Sequence, residues 1–117
     1  MSHVTVFTKI GCRHCVELKE LLGLYAVNIV YVEVGALSVS EEARARVLMR
    51  KWTNHPSPTF PQMFAGAAWI EGGYAAARRL HESGELGWLF AEGMASGGVT
   101  PHDEWVQGLP IVADEDF

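Results

Sequence analysis

Cys12 and Cys15 are the only cysteines among 117 residues, and they stand where one hydrophobic periodicity gives way to another. Before them, His3 to Thr8 is a short β-branched and aromatic run, which reads as a strand. Gly11 breaks it. After them, Cys15, Leu18, Leu22 and Tyr25 recur at spacings of three and four, so Arg13 to Leu24 reads as an amphipathic helix. Asn28 to Val34 is a second strand-like run. Two strands joined by a helix make a βαβ unit, with parallel strands and a right-handed crossover. The chain is therefore α/β, with both cysteines where the first strand hands over to the first helix.

That position has a chemical logic. At the start of a helix, unpaired amide hydrogens and the helix dipole favour an anion. The thiolate is the nucleophilic form of cysteine. Lys9 and Arg13 add positive charge close by, and His14 adds to it when protonated. The second cysteine, one turn later and deeper, can close a disulfide and release a bound partner. A metal reading is weaker. Cys12, Cys15 and His14 would need a ligand from elsewhere, because structural zinc takes four. No metal site is expected. A secreted disulfide scaffold would carry more cysteines at wider spacing.

The rest of the chain divides readily as far as residue 91. Ser38 and Glu41 have capping-box spacing ahead of a helix that runs to about Trp52. Val39, Ala43 and Val47 form its expected apolar stripe. Thr53 to Pro61 holds three prolines and is neither helix nor central strand. Gln62 to Ala65 and Ala67 to Ile70 flank Gly66 as a tight hairpin. Gly72 and Gly73 end the second piece. Helical spacing resumes through Tyr74, Ala77 and Leu80, stops near Gly84, and continues through Leu86, Leu89 and Phe90. From Glu92 the pattern dissolves into glycines and prolines that argue against a long helix. Trp105 and Leu109 to Val112 remain apolar enough to dock on something. Residues 1–91 read as one domain and 92–117 as an acidic C-terminal extension.

Charge narrows the partners. The formal net charge is −5, yet residues 92–117 hold six acids and no Lys or Arg, so the body is nearly neutral. No basic face suits nucleic acid. Arg44, Arg46, Arg50 and Lys51 cluster, but read as a solvated helix face. No apolar run reaches the roughly 18–20 residues of a membrane span. Met1-Ser2-His3-Val4 does not open a signal peptide. A cytoplasmic protein is the expectation. His55, His81 and His102 read as scattered surface or loop residues, and Trp52, Trp69 and Trp88 as core or core edge.

Three blocks carry a family resemblance. VTVFTKIGCRHC resembles the start of a glutaredoxin. TFPQMF resembles that family's Thr-Val-Pro-x-x-Phe signature, and IEGGYAAARRLHESGEL its Gly-Gly motif and closing helices. Together they span roughly residues 3–91. The resemblance implies a thioredoxin-like fold in its small glutaredoxin form. Its four-stranded mixed sheet has the order second, first, third, fourth, with the third strand antiparallel to the first. Helices cover both faces, and the extension follows.

The implied activity is that of a thiol–disulfide oxidoreductase acting on protein disulfides or glutathione mixed disulfides. Cys12 is then the nucleophile and Cys15 the resolving thiol. Glutathione is the implied reductant and partner, with no tightly bound cofactor. Disulfide-containing client proteins are the other partners, and the chain is expected to act as a monomer. Lys9 matches the lysine near the glycyl carboxylate of glutathione. Thr59, Phe60 and Pro61 match the signature, with a cis Phe60–Pro61 bond and the Phe60 backbone beside the cysteinyl part. Gly72 and Gly73, followed by Tyr74 and Ala75, match the γ-glutamyl end, and Arg13 and His14 complete the glutathione-binding set. Two departures stand out. Ala75 and Ala76 replace the usual acidic or hydroxyl residues, and Arg13-His14 replaces the common Pro-Tyr. Two other readings stay open. One is a dedicated electron donor, for instance to ribonucleotide reductase, recharged by thioredoxin reductase. The other is a protein that holds an iron–sulfur cluster or metal through Cys12.

Overall fold

The computed structural model describes residues 3–107. In chain order these form β1 (Val4–Thr8), α1 (Arg13–Leu22), β2 (Ile29–Glu33), a 3-10 turn (Val34–Ala36), α2 (Val39–Thr53), β3 (Gln62–Ala65), β4 (Ala68–Ile70), α3 (Gly73–Glu82), α4 (Leu86–Ala95) and α5 (Pro101–Gln107). The strands make one sheet in the order β2-β1-β3-β4. β1 runs parallel to β2 and antiparallel to β3. This is the thioredoxin-like arrangement that the three blocks imply.

The sheet is covered on both faces because its central strands are apolar on both. Successive strand side chains point to opposite faces. Val4, Val6, Met63 and Ala65 face one way and pack with Leu18 and Leu22 of α1, Ala77 of α3, and Leu86 and Phe90 of α4. Phe7 and Phe64 face the other way and pack with Ala45 and Met49 of α2. Each of the valine, leucine, methionine and phenylalanine side chains contributes about 1.5–3 kcal/mol by leaving water.

Helix α2 begins where its capping box sets it. The Glu41 N–H donates to Ser38 Oγ at 3.3 Å, and the Ser38 N–H donates back to Glu41 Oε1 at 3.3 Å. Its core stripe differs from the expected one. Val47 is buried as expected, but Val39 is 91% exposed and Ala43 is exposed too, while Ala45, Leu48 and Met49 are buried instead. The second half of the helix chooses the face, because only that half lies over Phe7 and Phe64. Trp88 likewise stands 61% exposed on α4 rather than in the core.

Helical order also continues further than the sequence pattern. α4 runs through Glu92 to Ala95 without a break. Gly93, which reads as a helix breaker, is instead required inside it. A Cβ there would collide with the carbonyl oxygen and Cβ of Ala65, and one at Gly66 would strike the Gly93 carbonyl. The two glycines let α4 lie directly on the β3–β4 turn. Beyond it, the Thr100 N–H donates to Asp103 Oδ2 at 2.9 Å and the Asp103 N–H donates to Thr100 Oγ1 at 3.1 Å, a second capping box that starts α5.

α5 docks on α2 through the very cations that read as a solvated face. Arg44 donates to the carbonyl oxygens of Glu104 and Trp105, and its guanidinium carbon lies 4.5 Å from the centre of the Trp105 indole. Lys51 Nζ meets both oxygens of Glu104 at 2.8 Å. Trp105 thereby joins the cluster around Phe64, as its apolar character suggested. Leu109 to Val112 lie outside the described residues. Among the described residues no helix is long and apolar enough to cross a membrane.

Candidate functional site

The site begins where β1 ends. Lys9 to Gly11 form a turn in which Gly11 takes φ +81° and the Cys12 N–H donates to the Lys9 carbonyl at 3.2 Å. Positive φ of this kind suits glycine. Cys12 is the N-cap of α1, in an extended conformation, and its Sγ accepts the Cys15 N–H at 3.3 Å. A sulfur thus takes the place of the usual capping oxygen, close to the unpaired amides of the helix start. Both thiols are free. Cys12 is half-buried, whereas Cys15 is only 2% exposed. Burial, assisted by the hydrogen bond with Cys12, pushes the Cys15 thiol up to about 12.

The signature loop faces the first cysteine. The Cys12 thiol lies 3.9 Å from the Phe60 carbonyl oxygen, and the Phe60–Pro61 bond is cis. Two cations lie near the Phe60 ring. Lys9 Nζ is 6.0 Å and the Arg46 guanidinium carbon 5.5 Å from its centre. Arg46 also holds Glu42 at 3.1 Å. Sequence reasoning set Arg46 aside as part of a solvated face. Nothing local distinguishes it, because residues 46 and 60 meet only through the packing of α2 beside the loop.

A cleft of about 420 Å³ opens between that loop and the start of α3. Eight of the twelve expected site residues line it: His14, Thr59, Phe60, Pro61, Gly72, Gly73, Tyr74 and Ala75. Lys9 and Cys12 border the loop without lining the cleft, and Cys15 is buried behind Cys12. Arg13 is turned to solvent, 88% exposed, with its Nε 3.8 Å from Glu17. His14 stacks on Tyr74, ring centres 5.9 Å apart, and so ties the start of α1 to the start of α3. Gly72 and Gly73 take φ +108° and +64°, and a Cβ at Gly72 would strike the Cβ of Ala76.

Other residues also line the cleft: His55, which read as a surface or loop residue, Trp69, which read as core or core edge, and Gln62 and Glu71, for which the sequence pattern implied no site role. Gln62 and Trp69 act as a brace. The indole N–H of Trp69 donates to Gln62 Oε1 at 2.9 Å, and Gln62 Nε2 donates to the Thr59 carbonyl at 2.8 Å. Trp69 pairs with Phe64 across the hairpin, and Gln62 lies two residues further along β3 on the same face, so the contact is diagonal. The two alanines after Tyr74 prove unequal. Ala75 is exposed at the cleft, while Ala76 is buried at 3% exposure under Gly72.

Comparisons with known proteins agree with this geometry. The glutaredoxin family model matches residues 4–70. Glutaredoxin-C2 of Arabidopsis thaliana is 34% identical over 97 residues, covering 83% of each protein. Among solved structures, the holo form of glutaredoxin C1 from Populus tremula x tremuloides aligns with TM-score 0.67 and 28% identity, covering 85% of this chain and 84% of that one. A buckwheat glutaredoxin–glutathione complex aligns with TM-score 0.62 and 25% identity over 78% of each chain. With its cysteine pair at the head of α1 and its signature loop alongside, the chain belongs to the glutaredoxin family and is an oxidoreductase of glutaredoxin-type thiol–disulfide chemistry.

Proposed function

We propose that this protein reduces protein disulfides and glutathione mixed disulfides, with Cys12 as the attacking thiol and Cys15 as the resolving one. The observation that carries the reading is the asymmetry of the pair. Cys12 is accessible at a helix start, and Cys15 is buried with its thiol held up to about 12.

The Cys12 thiolate attacks one sulfur of the substrate disulfide. That S–S bond breaks, the departing thiolate takes a proton from solvent, and Cys12 is left in a mixed disulfide. Until then, the charge and hydrogen bond of Cys12 both favour the protonated form of Cys15. Once Cys12 is bonded to the substrate, that contribution is gone. Cys15 then loses its proton to solvent more readily and attacks Cys12 Sγ. The substrate leaves as a thiol, and two glutathione molecules supply the two electrons that reopen the Cys12–Cys15 disulfide. A second glutathione can also resolve the mixed disulfide directly.

The cleft suits glutathione as an extended thiol peptide with a carboxylate at each end. Lys9 and Arg46 both lie close to the Phe60 ring at one end, where a carboxylate is attracted. The Phe60 backbone lies beside Cys12, where the cysteinyl part belongs. At the other end, Gly72 and Gly73 leave the backbone open, and the first amides of α3 can hold a second carboxylate. The buckwheat relative is described in complex with glutathione, which supports carrying this ligand to the present chain.

The test is a coupled assay on a small glutathione mixed disulfide. Turnover is expected with glutathione and glutathione reductase as electron source. Turnover with thioredoxin reductase alone would sink the reading and favour the dedicated-donor alternative, for which the missing acid at Ala75 is the one supporting feature.

A further inference from the structure

At the end of β1 remote from Cys12, three side chains that commonly bind metals come together. His3 leads into β1, while His102 and Asp103 lie in the first turn of α5. One donor atom from each lies within 4.8 Å of the other two. His3 is 7% exposed and the other two are half-buried. The His3 and His102 rings meet edge to face, with centres 5.0 Å apart.

We propose that His3, His102 and Asp103 form a site for a divalent ion of the zinc class, which fastens α5 to the start of the sheet. Two imidazoles and one carboxylate are a nitrogen-and-oxygen donor set of the kind zinc accepts. Calcium and magnesium take oxygen ligands, and copper(I) selects sulfur. Zinc bonds of about 2.0–2.2 Å in a tetrahedral site put neighbouring donors roughly 3.4 Å apart. The donors stand up to 4.8 Å apart, so binding would draw them together by up to about 1.4 Å. A water completes the fourth position.

Thr100 supplies the outer support such ligands need. Its Oγ1 lies 3.0 Å from His3 Nε2, and its N–H donates to one oxygen of Asp103 at 2.9 Å. Partners of this sort orient ligating imidazoles and carboxylates. The site is also independent of the redox pair. The five residues of β1 span about 17 Å at roughly 3.3 Å each, so neither cysteine can reach the ion. The histidine that read as a scattered loop residue thus has a partner from the opposite end of the described chain.

The test uses the full, untagged chain carrying Cys12→Ser and Cys15→Ser, so that no thiolate captures the ion. After treatment with chelator, zinc chloride is titrated by calorimetry and the protein is melted with and without it. One equivalent bound and a raised melting temperature are expected. His102→Ala and Asp103→Asn should each weaken binding at least tenfold and remove the rise. Because either change can loosen α5 by itself, the imidazole resonances of the protein with its cluster intact are followed as well. Zinc should shift those of His3 and His102. An absence of binding, affinity unaltered by either substitution, or shifts confined to His14, His55 and His81 would overturn the proposal.

Discussion

The amide N–H of Cys15 lies 3.3 Å from the sulfur of Cys12. One contact therefore does two jobs. It caps α1, and it binds the first thiol to the residue whose own thiol lies buried a turn below. The chemistry and the helix start are the same piece of structure.

Alkylation should separate the two cysteines. At neutral pH under reducing conditions, iodoacetamide should label Cys12 well before Cys15, because Cys15 is 2% exposed and its thiol is held up to about 12. Cys12→Ser should abolish reductase turnover. Cys15→Ser should trap mixed disulfides with clients and retain turnover that relies on glutathione. Mass spectrometry of the labelled peptide decides the order, and faster labelling at Cys15 would reverse the assignment.

The raised Cys15 thiol also predicts an alkaline loss of stability. A free cysteine titrates at about 8.5 in the unfolded chain, and burial raises this one when folded. Its contribution is therefore fully present below the unfolded value and is lost as pH rises towards the folded one. Relative to Cys15→Ala, the reduced wild-type protein should lose up to about 1.4 kcal/mol per pH unit above roughly pH 9. Urea denaturation of both proteins at pH 8 and pH 10.5 measures it. A constant difference between them would mean that the buried thiol ionises freely.

The two alanines after Tyr74 should respond in opposite ways. Ala75→Asp places a carboxylate at the cleft, beside the expected ammonium of the γ-glutamyl group. It should lower KM for glutathione mixed disulfides by up to about tenfold, equivalent to about 1.4 kcal/mol. Ala76→Asp instead buries the charge beneath Gly72. It should destabilise the protein by at least about 2 kcal/mol. Steady-state kinetics and thermal melting check the pair, and an unchanged KM for Ala75→Asp would mean that backbone contacts suffice.

α5 should matter for stability and not for turnover of a small disulfide. Trp105→Ala removes both the packing near Phe64 and the stacking under Arg44. A loss of about 1–3 kcal/mol is expected, below that of a fully buried tryptophan. Truncation after Gly97 should likewise leave a folded, active protein with a lower melting temperature. A cut at Glu92 is the wrong experiment, since it removes Gly93 from its seat on Ala65. Lost turnover in either variant, with the fold retained, would tie α5 to the active site.

Local patterns were legible wherever one element supplies its own reason. The spacing of Cys15, Leu18 and Leu22 specified α1, Ser38 and Glu41 specified the start of α2, and Gly66 the hairpin. The cysteine pair and the signature loop were legible for the same reason, since each is a contiguous string. Patterns that depend on a distant surface were misread. Val39 matched a helical stripe yet faces water, and Gly93 resembled a breaker although it sits mid-helix.

By itself the sequence determined the order of the elements, the βαβ start and the thiol chemistry, because periodicity, capping and a Cys-x-x-Cys spacing act within a few residues. The tertiary structure decided the rest. It brought both Arg46 and Lys9 to the Phe60 ring, sank Ala76 while leaving Ala75 open, seated α5 on Arg44 and Lys51, and brought His3 to His102. Each of these joins residues far apart in the chain. Such neighbours are set by which faces the sheet leaves for burial, and that is a property of the whole fold, not of any window along it.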